Sequence, residues 1–290
     1  MKAIRNLIIT LVVIVAILGV VIIGGYIYVR TTYGIDLFRT AGQLKTLTQT
    51  VDETALCPNA FGEEDFAAMK TELNKKFDGL VSYEEGKGFN GYSVNFGSLA
   101  GKSMSGTIFL TEKHVGAIAQ TVFYEQTGGK IKLGDKEVSV TVMQVDFSEI
   151  AANGSADFNV VAKIDLTPFK ADMGGFPYKY FKKYIPDNLY VSSTVRVDKT
   201  EEDGFAYTVT HKSLTLNNLS ADDTADLFNT LDAVLKIGTA ENLNIQVGTM
   251  AVNALIGKQE NPGFAYSMKS IGAKSFDFGT VSDIDLFIVY

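Results

Sequence analysis

The chain has 290 residues, with 26 Lys and Arg against 33 Asp and Glu, 46% apolar residues and 20% charged ones. That balance excludes a disordered or collagen-like chain. The single cysteine excludes a disulfide framework, and the two distant histidines leave little for metal or triad chemistry.

Lys2, Arg5 and Arg30 flank one apolar stretch and no acid precedes Asp36, so the rest of the chain holds 23 basic and 33 acidic residues, a net −10. So acidic a domain lacks the basic footprint of a nucleic-acid binder. The apolar stretch itself, Leu7 to Val29, contains no charge. As a helix it is long enough to cross a hydrocarbon core of about 30 Å. Tyr26 and Tyr28 lie near its outer end, where amphipathic rings favour the lipid–water boundary. No small-x-small cleavage site follows, and Cys57 lies too late for a lipoprotein. The reading is an uncleaved anchor, with a cytoplasmic tail at 1–6, a span at 7–29, a juxtamembrane segment at 30–59 and an extracytoplasmic domain at 60–290. The anchor carries no Gly-x-x-x-Gly face and no intramembrane charge, so it reads as a passive tether.

In the juxtamembrane segment Leu37, Ala41, Leu44 and Thr48 approach helical spacing, and Cys57-Pro58-Asn59 breaks the pattern. Glu63 to Phe77 repeats it, with Phe66, Met69, Leu73 and Phe77 on one face, acids in the first turn and lysines in the last. Short strands are expected at Tyr92–Phe96 and Gly106–Leu110. A helix follows over Glu112–Glu125, capped by Thr111, with Val115, Ile118, Ala119 and Val122 as its buried stripe.

The middle of the chain is β. Ile131 and Leu133 alternate, Gly134-Asp135 turns, and Val138, Val140 and Val142 share a face. The phase then slips, with Val145 and Phe147 continuing on odd numbers, which predicts a β-bulge. Asn153-Gly154 signals a two-residue hairpin. Ala156 to Leu166 alternates cleanly on even numbers, which predicts a long strand in an antiparallel sheet covered on one face. Val191 to Val197 and Phe205 to Leu216 are the next strands, the second with a phase slip near His211.

Ser220 with Asp223 begins a helix carrying Leu227, Leu231, Val234 and Leu235, which ends at Gly238. Another spans about Ala240–Ile256, with Leu243, Val247, Met250, Ala251 and Ala254 in phase and Gly257 ending it. Strands close the chain at Phe264–Ser270, Phe276–Phe278 and Asp283–Tyr290, the last with Ile284, Leu286 and Ile288 on one face. The fold class is α+β: a transmembrane helix, then a long-stranded twisted antiparallel sheet with helices packed on one face.

No motif writes an activity. Gly97 to Ser103 has three residues between its glycines where a P-loop needs four, and a strand follows where a helix should. The acids at 63–65 and 222–223 sit at helix starts, and those at 201–203 in a turn. Asn153-Gly-Ser and Asn218-Leu-Ser match the glycosylation pattern but read better as a turn and a helix cap.

One segment stands out from Phe176 to Pro186. Phe176, Tyr178, Lys179, Tyr180, Phe181, Lys182, Lys183 and Tyr184 place aromatic rings beside lysines. That pattern suits a membrane interface or an apolar partner. It also suits a short connecting helix whose aromatics plug one end of the sheet while the lysines snorkel, and that is the first reading of the pattern.

The layout, with Thr-Glu-Lys-His-Val-Gly-Ala-Ile-Ala at 111–119 and Asp-Phe-Asn-Val-Val-Ala-Lys-Ile-Asp-Leu at 157–166, resembles membrane-anchored extracytoplasmic proteins of Gram-positive bacteria similar to YpmS. These are in turn similar to tubular lipid-binding (TULIP-like) domains. The resemblance covers the layout of about 60–290 and carries over no site residues. It implies a curved sheet wrapped on helices and a groove for lipid. The expected function is a non-catalytic binding protein for lipid or another apolar ligand, with no cofactor and no metal, partnered by the bilayer through Leu7–Val29. The alternative is a structural or protein-interaction component of the cell envelope with no ligand.

Overall fold

The computed structural model describes residues 36–290, apart from 105, 134–135, 172–181, 201–203 and 236–237. The expected span Leu7–Val29 and the turn Gly134-Asp135 lie outside the described residues. Among the described residues no helix is long and apolar enough to cross a membrane.

The structure is a mixed α/β fold around a five-stranded antiparallel sheet. Its strands β4 (Lys130–Leu133), β5 (Lys136–Ser148), β6 (Ala156–Asp165), β7 (Asn188–Lys199) and β8 (Tyr207–Leu216) run in sequence order, with β6 at the centre. Three further strands, β3 (Ile108–Thr111), β11 (Phe276–Val281) and β12 (Ile284–Val289), form a second sheet in the order β11-β12-β3. Two small ladders complete the strands: β1 (Val81–Tyr83) with β2 (Tyr92–Val94), and β9 (Gly257–Lys258) with β10 (Asn261–Pro262).

The helices are α1 (Leu37–Leu47), α2 (Glu53–Leu56), α3 (Glu63–Lys76), α4 (Glu112–Thr127), α5 (Thr167–Ala171), α6 (Ala221–Leu235), α7 (Ala240–Leu255) and α8 (Phe264–Met268). Their starts follow the sequence logic. Thr111 accepts from His114 N, Thr239 from Asn242 N and Ser220 from Asp223 N, each satisfying an orphan donor of a first turn. Asp36 does the same for α1, accepting from Phe38 N and Arg39 N.

Both predicted phase slips are β-bulges. One lies between Val142 and Gln144 on β5, the other on β8 opposite Thr194 and Val195. They divide the inner face of the sheet into two hydrophobic clusters. The half beyond the bulges packs Val145, Phe147, Phe158, Val160, Val195 and Val197 against α3, α4, α8 and the three-stranded sheet. The other half packs Val138, Val140, Ile164, Leu189, Val191, Leu214 and Leu216 against α1 and α6. Helices α4 and α7 bridge the two halves on the inner face. The approach of α7 is close: a Cβ added to Gly248 would lie 2.2 Å from Val195 Cγ1.

Several expectations are corrected. Phe264–Ser270 is the helix α8 and a 3₁₀ turn (Lys269–Ile271), not a strand. Phe264, Ala265 and Met268 are all buried, a helical and not an alternating spacing. On β12 the odd residues Phe287 and Val289 face the core, while Ile284 is exposed. Nearly every residue of that strand is apolar, so alternation could not choose the face. In α4 the buried alanine is Ala117, not Ala119, and in α7 Val252 and Leu255 go deeper than Ala251 and Ala254. The strand expected over Tyr92–Phe96 stops at Val94, and Phe96–Leu99 is a 3₁₀ turn. The Asn153-Gly154 connection is a three-residue loop. Gly154 N bonds Ala151 O, Ala151 N bonds Ser155 O, and Gly154 adopts φ +80° as the left-handed residue of a G1 bulge.

The sheet is also not one-sided. On its outer face Val161 and Asp157 are both buried. The chain between α1 and α3 lies across that face. Glu53 Oε1 accepts from Lys163 Nζ at 2.7 Å and from the Tyr190 hydroxyl. Asn59 N donates to Gln144 Oε1 at 2.9 Å, and its Nδ2 to Asp146 Oδ1 at 3.3 Å. From Asp36 onward the expected juxtamembrane segment is therefore built into the domain.

Candidate functional site

The residues singled out from Phe176 to Pro186 divide. Phe176, Tyr178, Lys179, Tyr180 and Phe181 lie outside the described residues. Lys182, Lys183 and Tyr184 form one 3₁₀ turn at the entrance to β7. Tyr184 is half-buried and packs on the aliphatic cluster, Ile185 is buried, and Lys183 is exposed with its Nζ 4.9 Å from the Tyr184 ring centroid. This end of the segment packs against the end of the sheet while Lys183 reaches outward.

The flanks of the segment are tied to one place. Leu166 N donates to Asp187 O at 2.8 Å, and Lys170 Nζ, from α5, donates to Asp187 Oδ1 at 2.6 Å. Ala171 and Lys182 thus both sit at the end of the sheet where β6 leaves and β7 enters. Helix α1 packs against the same turn. Leu44 and Leu47 enter the same cluster. Asn217 Nδ2 donates to Leu47 O at 2.7 Å, Gln43 Nε2 to Asp223 O at 3.1 Å, and Arg39 pairs with Asp226 and Asp223. Phe38, on the first turn of α1, is 76% exposed. The end of the domain nearest the apolar stretch in sequence therefore also carries Phe38, Lys182, Lys183 and Tyr184.

A polar belt crosses the inner face at the two bulges. Gln120 of α4 accepts from Val142 N at 2.6 Å. Asn244 of α7 donates to Thr194 O at 2.7 Å and to His211 Nδ1 at 2.8 Å, and accepts from Ser193 Oγ at 2.6 Å. At the β8 bulge the buried Asn244 amide satisfies a main-chain carbonyl that the bulge frees, and beside the β5 bulge the Gln120 amide accepts from a main-chain N–H on the open edge of β5. The fixed direction of the Asn244 amide makes His211 Nδ1 an acceptor. The belt is a structural device that no single-element pattern in the sequence announced.

The other reactive side chains are placed apart. Cys57 is buried, and burial first, then the charges of Glu53 and Asp146, pushes its thiol up to about 11, far from the thiolate that nucleophilic chemistry requires. His114 is half-buried, and desolvation lowers its pKa. Among the described residues neither histidine ring is hydrogen-bonded to a hydroxyl, thiol or carboxylate. Glu112 accepts from Phe147 N at 2.5 Å; burial, with Asp146 and Asp285 nearby, raises its pKa to about 7. No three His, Cys, Asp or Glu side chains among the described residues group so as to hold a metal ion. At Gly97–Ser103 Asn95 Oδ1 caps the 3₁₀ turn by accepting from Gly97 N, and no helix follows for phosphate to bind.

Comparison with protein-family models, with curated proteins and with solved structures gave no match to this chain.

Proposed function

We propose that this chain is a non-catalytic, membrane-tethered binding module of the cell envelope, held by Leu7–Val29 and meeting the bilayer or an apolar ligand through its aromatic–lysine segment. The observation that carries the reading is the packing of the Lys182–Tyr184 turn against α1, the first helix after the apolar stretch. The first described helix after the apolar stretch and the Lys182–Tyr184 end of the segment thereby lie together. Tyrosine rings at that end suit the interfacial zone, and each lysine near an anionic surface contributes about 1 kcal/mol. The chain beyond the apolar stretch and its flanks is net −10 even with Lys179, Lys182 and Lys183 counted, which keeps other faces off the bilayer.

The inner face is occupied by the protein's own helices α4 and α7, with Gly248 hard against Val195. That favours contact at the end of the sheet over a lipid held deep between sheet and helices.

The test is liposome flotation of residues 31–290, whose two clusters draw only on residues from Leu44 onward. Wild type is expected to float with anionic vesicles in a salt-sensitive way, and a Lys179→Ser, Lys182→Ser, Lys183→Ser variant to remain in the pellet. Equal flotation of the two, or none by either, would overturn the reading and leave the envelope-scaffold alternative in its place.

A further inference from the structure

The two edges of the five-stranded sheet are finished differently. Beyond its short pairing with β4, the β5 edge is closed by α4 and the turn after it. Val140 N donates to Gly129 O, Val142 N to Gln120 Oε1 and Phe147 N to Glu112 Oε1. The opposite edge is β8. Thr200 N donates to Ala206 O at 3.0 Å, so Ala206, Thr208 and Thr210 turn their main chain toward β7. By the antiparallel alternation, the N–H and C=O of Tyr207 and Val209 point away from it. Neither residue's main chain has a partner on that side among the described residues.

Sheets commonly guard such an edge with a bulge, a lysine or a covering element. The bulge of β8 lies at His211–Ser213 and leaves Ala206–Thr210 regular. Beside this stretch opens a cavity of about 410 Å³, lined by Thr200, Phe205, Tyr207, Thr208, Lys258 and Tyr266 among others. Its far wall is the β9–β10 ladder, held without slack. A Cβ on Gly257 would lie 1.8 Å from Gly263 N, and one on Gly263 2.3 Å from Asn253 O at the end of α7. Lys258 projects from that wall, exposed, with its Nζ 5.1 Å above the Tyr207 ring and no ion pair among the described residues.

We propose that this cleft binds an extended polypeptide segment, which adds to β8 as a sixth strand and carries a carboxylate side chain to Lys258. The unmatched groups are a row of main-chain donors and acceptors at strand spacing, which another strand satisfies and a lipid or a helix does not. Strand addition supplies affinity through the main chain, and the cavity and Lys258 select the side chains on one face. The site lies at the end of the sheet where β8 begins, a strand's length away from the Lys182–Tyr184 turn, so it stands or falls independently of the membrane contact.

The test uses the full chain in lipid nanodiscs and a fluorescein-Gly-Gly-Val-Glu-Val-Glu-Val-amide peptide labelled at its N-terminus, alongside the same peptide with Lys in place of Glu. The acidic peptide is expected to bind saturably, and the basic one about tenfold or more weaker, the scale of one lost charge contact. Lys258→Glu should invert that preference. Val209→Pro removes an N–H that β7 does not use and should abolish binding. Amide exchange at Tyr207 and Val209 should slow when the acidic peptide is bound. Absence of saturable binding, equal binding of the two peptides, or protection elsewhere than on β8 would overturn the proposal. If Val209→Pro fails to fold, the Lys258→Glu inversion and the exchange pattern still decide it.

Discussion

The two halves of the sheet are built from different materials. The half beyond the bulges is aromatic: Phe147, Phe158, Phe276, Phe278 and Phe287 meet ring to ring, and Phe66 stacks on Tyr92. The half toward α1 is aliphatic, with Phe228 as the only fully buried aromatic ring of its cluster among the described residues. Rings bury large areas and interlock at fixed angles, so the first half closes a second sheet onto the first and has little room to rearrange. The second half is closed by α1, α6 and the Lys182–Tyr184 turn, held by a few polar contacts such as Lys170–Asp187 and Asn217–Leu47. One end of the domain is a rigid block. The other is an assembly of separately attached pieces, and it is the end on which α1, the first helix among the described residues, packs.

The largest test of that contrast places one charge in each half of the same strand. Phe158 and Ile164 both point inward from β6 and both are buried. An aspartate at either leaves a charge buried and uncompensated, at a cost of about 3–5 kcal/mol. Phe158→Asp should lower the denaturation midpoint and open the whole domain in hydrogen exchange. Ile164→Asp should release α1 and α6 while β11, β12 and α4 stay protected. Asn159→Asp, on the outer face, should be mild. Identical exchange patterns for the two inner variants would erase the distinction between the halves.

A smaller effect is expected at the belt between them. Asn244→Leu leaves Thr194 O, Ser193 Oγ and His211 Nδ1 without their shared partner, and should cost about 1–3 kcal/mol in equilibrium unfolding. A neutral outcome would mean that the bulge does not depend on the amide.

The smallest is a slope with pH. Glu112 has a folded-state pKa raised from 4.5 to about 7, chiefly by burial, so the folded chain holds this proton more tightly than the unfolded one. Its contribution to stability is complete below about pH 4.5 and is lost as pH rises to about 7. Glu112→Gln keeps an acceptor for Phe147 N and should flatten that part of the stability–pH curve. An unchanged slope would place the titration elsewhere. Glu53 acts in the opposite sense. Its hydrogen bonds from Lys163 and then Tyr190 lower its pKa, so its contribution is present above the unfolded value and fades as acid protonates it in the folded state.

Much of the sheet was legible because parity is a local signal. The shift from Val142 to Val145, and that from Val209 to Leu214, each mark an extra residue, and each is a bulge. Parity fails where both faces are apolar, as in Ile284–Val289, and where a short apolar run such as Phe264–Met268 suits either helix or strand. What binds distant pieces was not legible at all. Glu53 with Lys163, Asn59 with Gln144, and Asn244 with His211 are polar pairs far apart in sequence, chosen by the fold and not by spacing. For the candidate site, the pattern of rings and lysines was visible in the sequence; the position of its Lys182–Tyr184 end beside α1 was not. The open edge of β8 depends on strand order, which no local pattern encodes.

The claim that one end of this domain meets the membrane can be measured directly, because the chain contains no tryptophan. Tyr180→Trp and Tyr266→Trp each introduce a single indole, one in the aromatic–lysine segment and one at the opposite end of the sheet. In proteoliposomes of the full chain made with brominated lipid, the account predicts strong quenching of the indole at position 180 and none at 266. Equal quenching at both positions, or quenching at 266 alone, would contradict it.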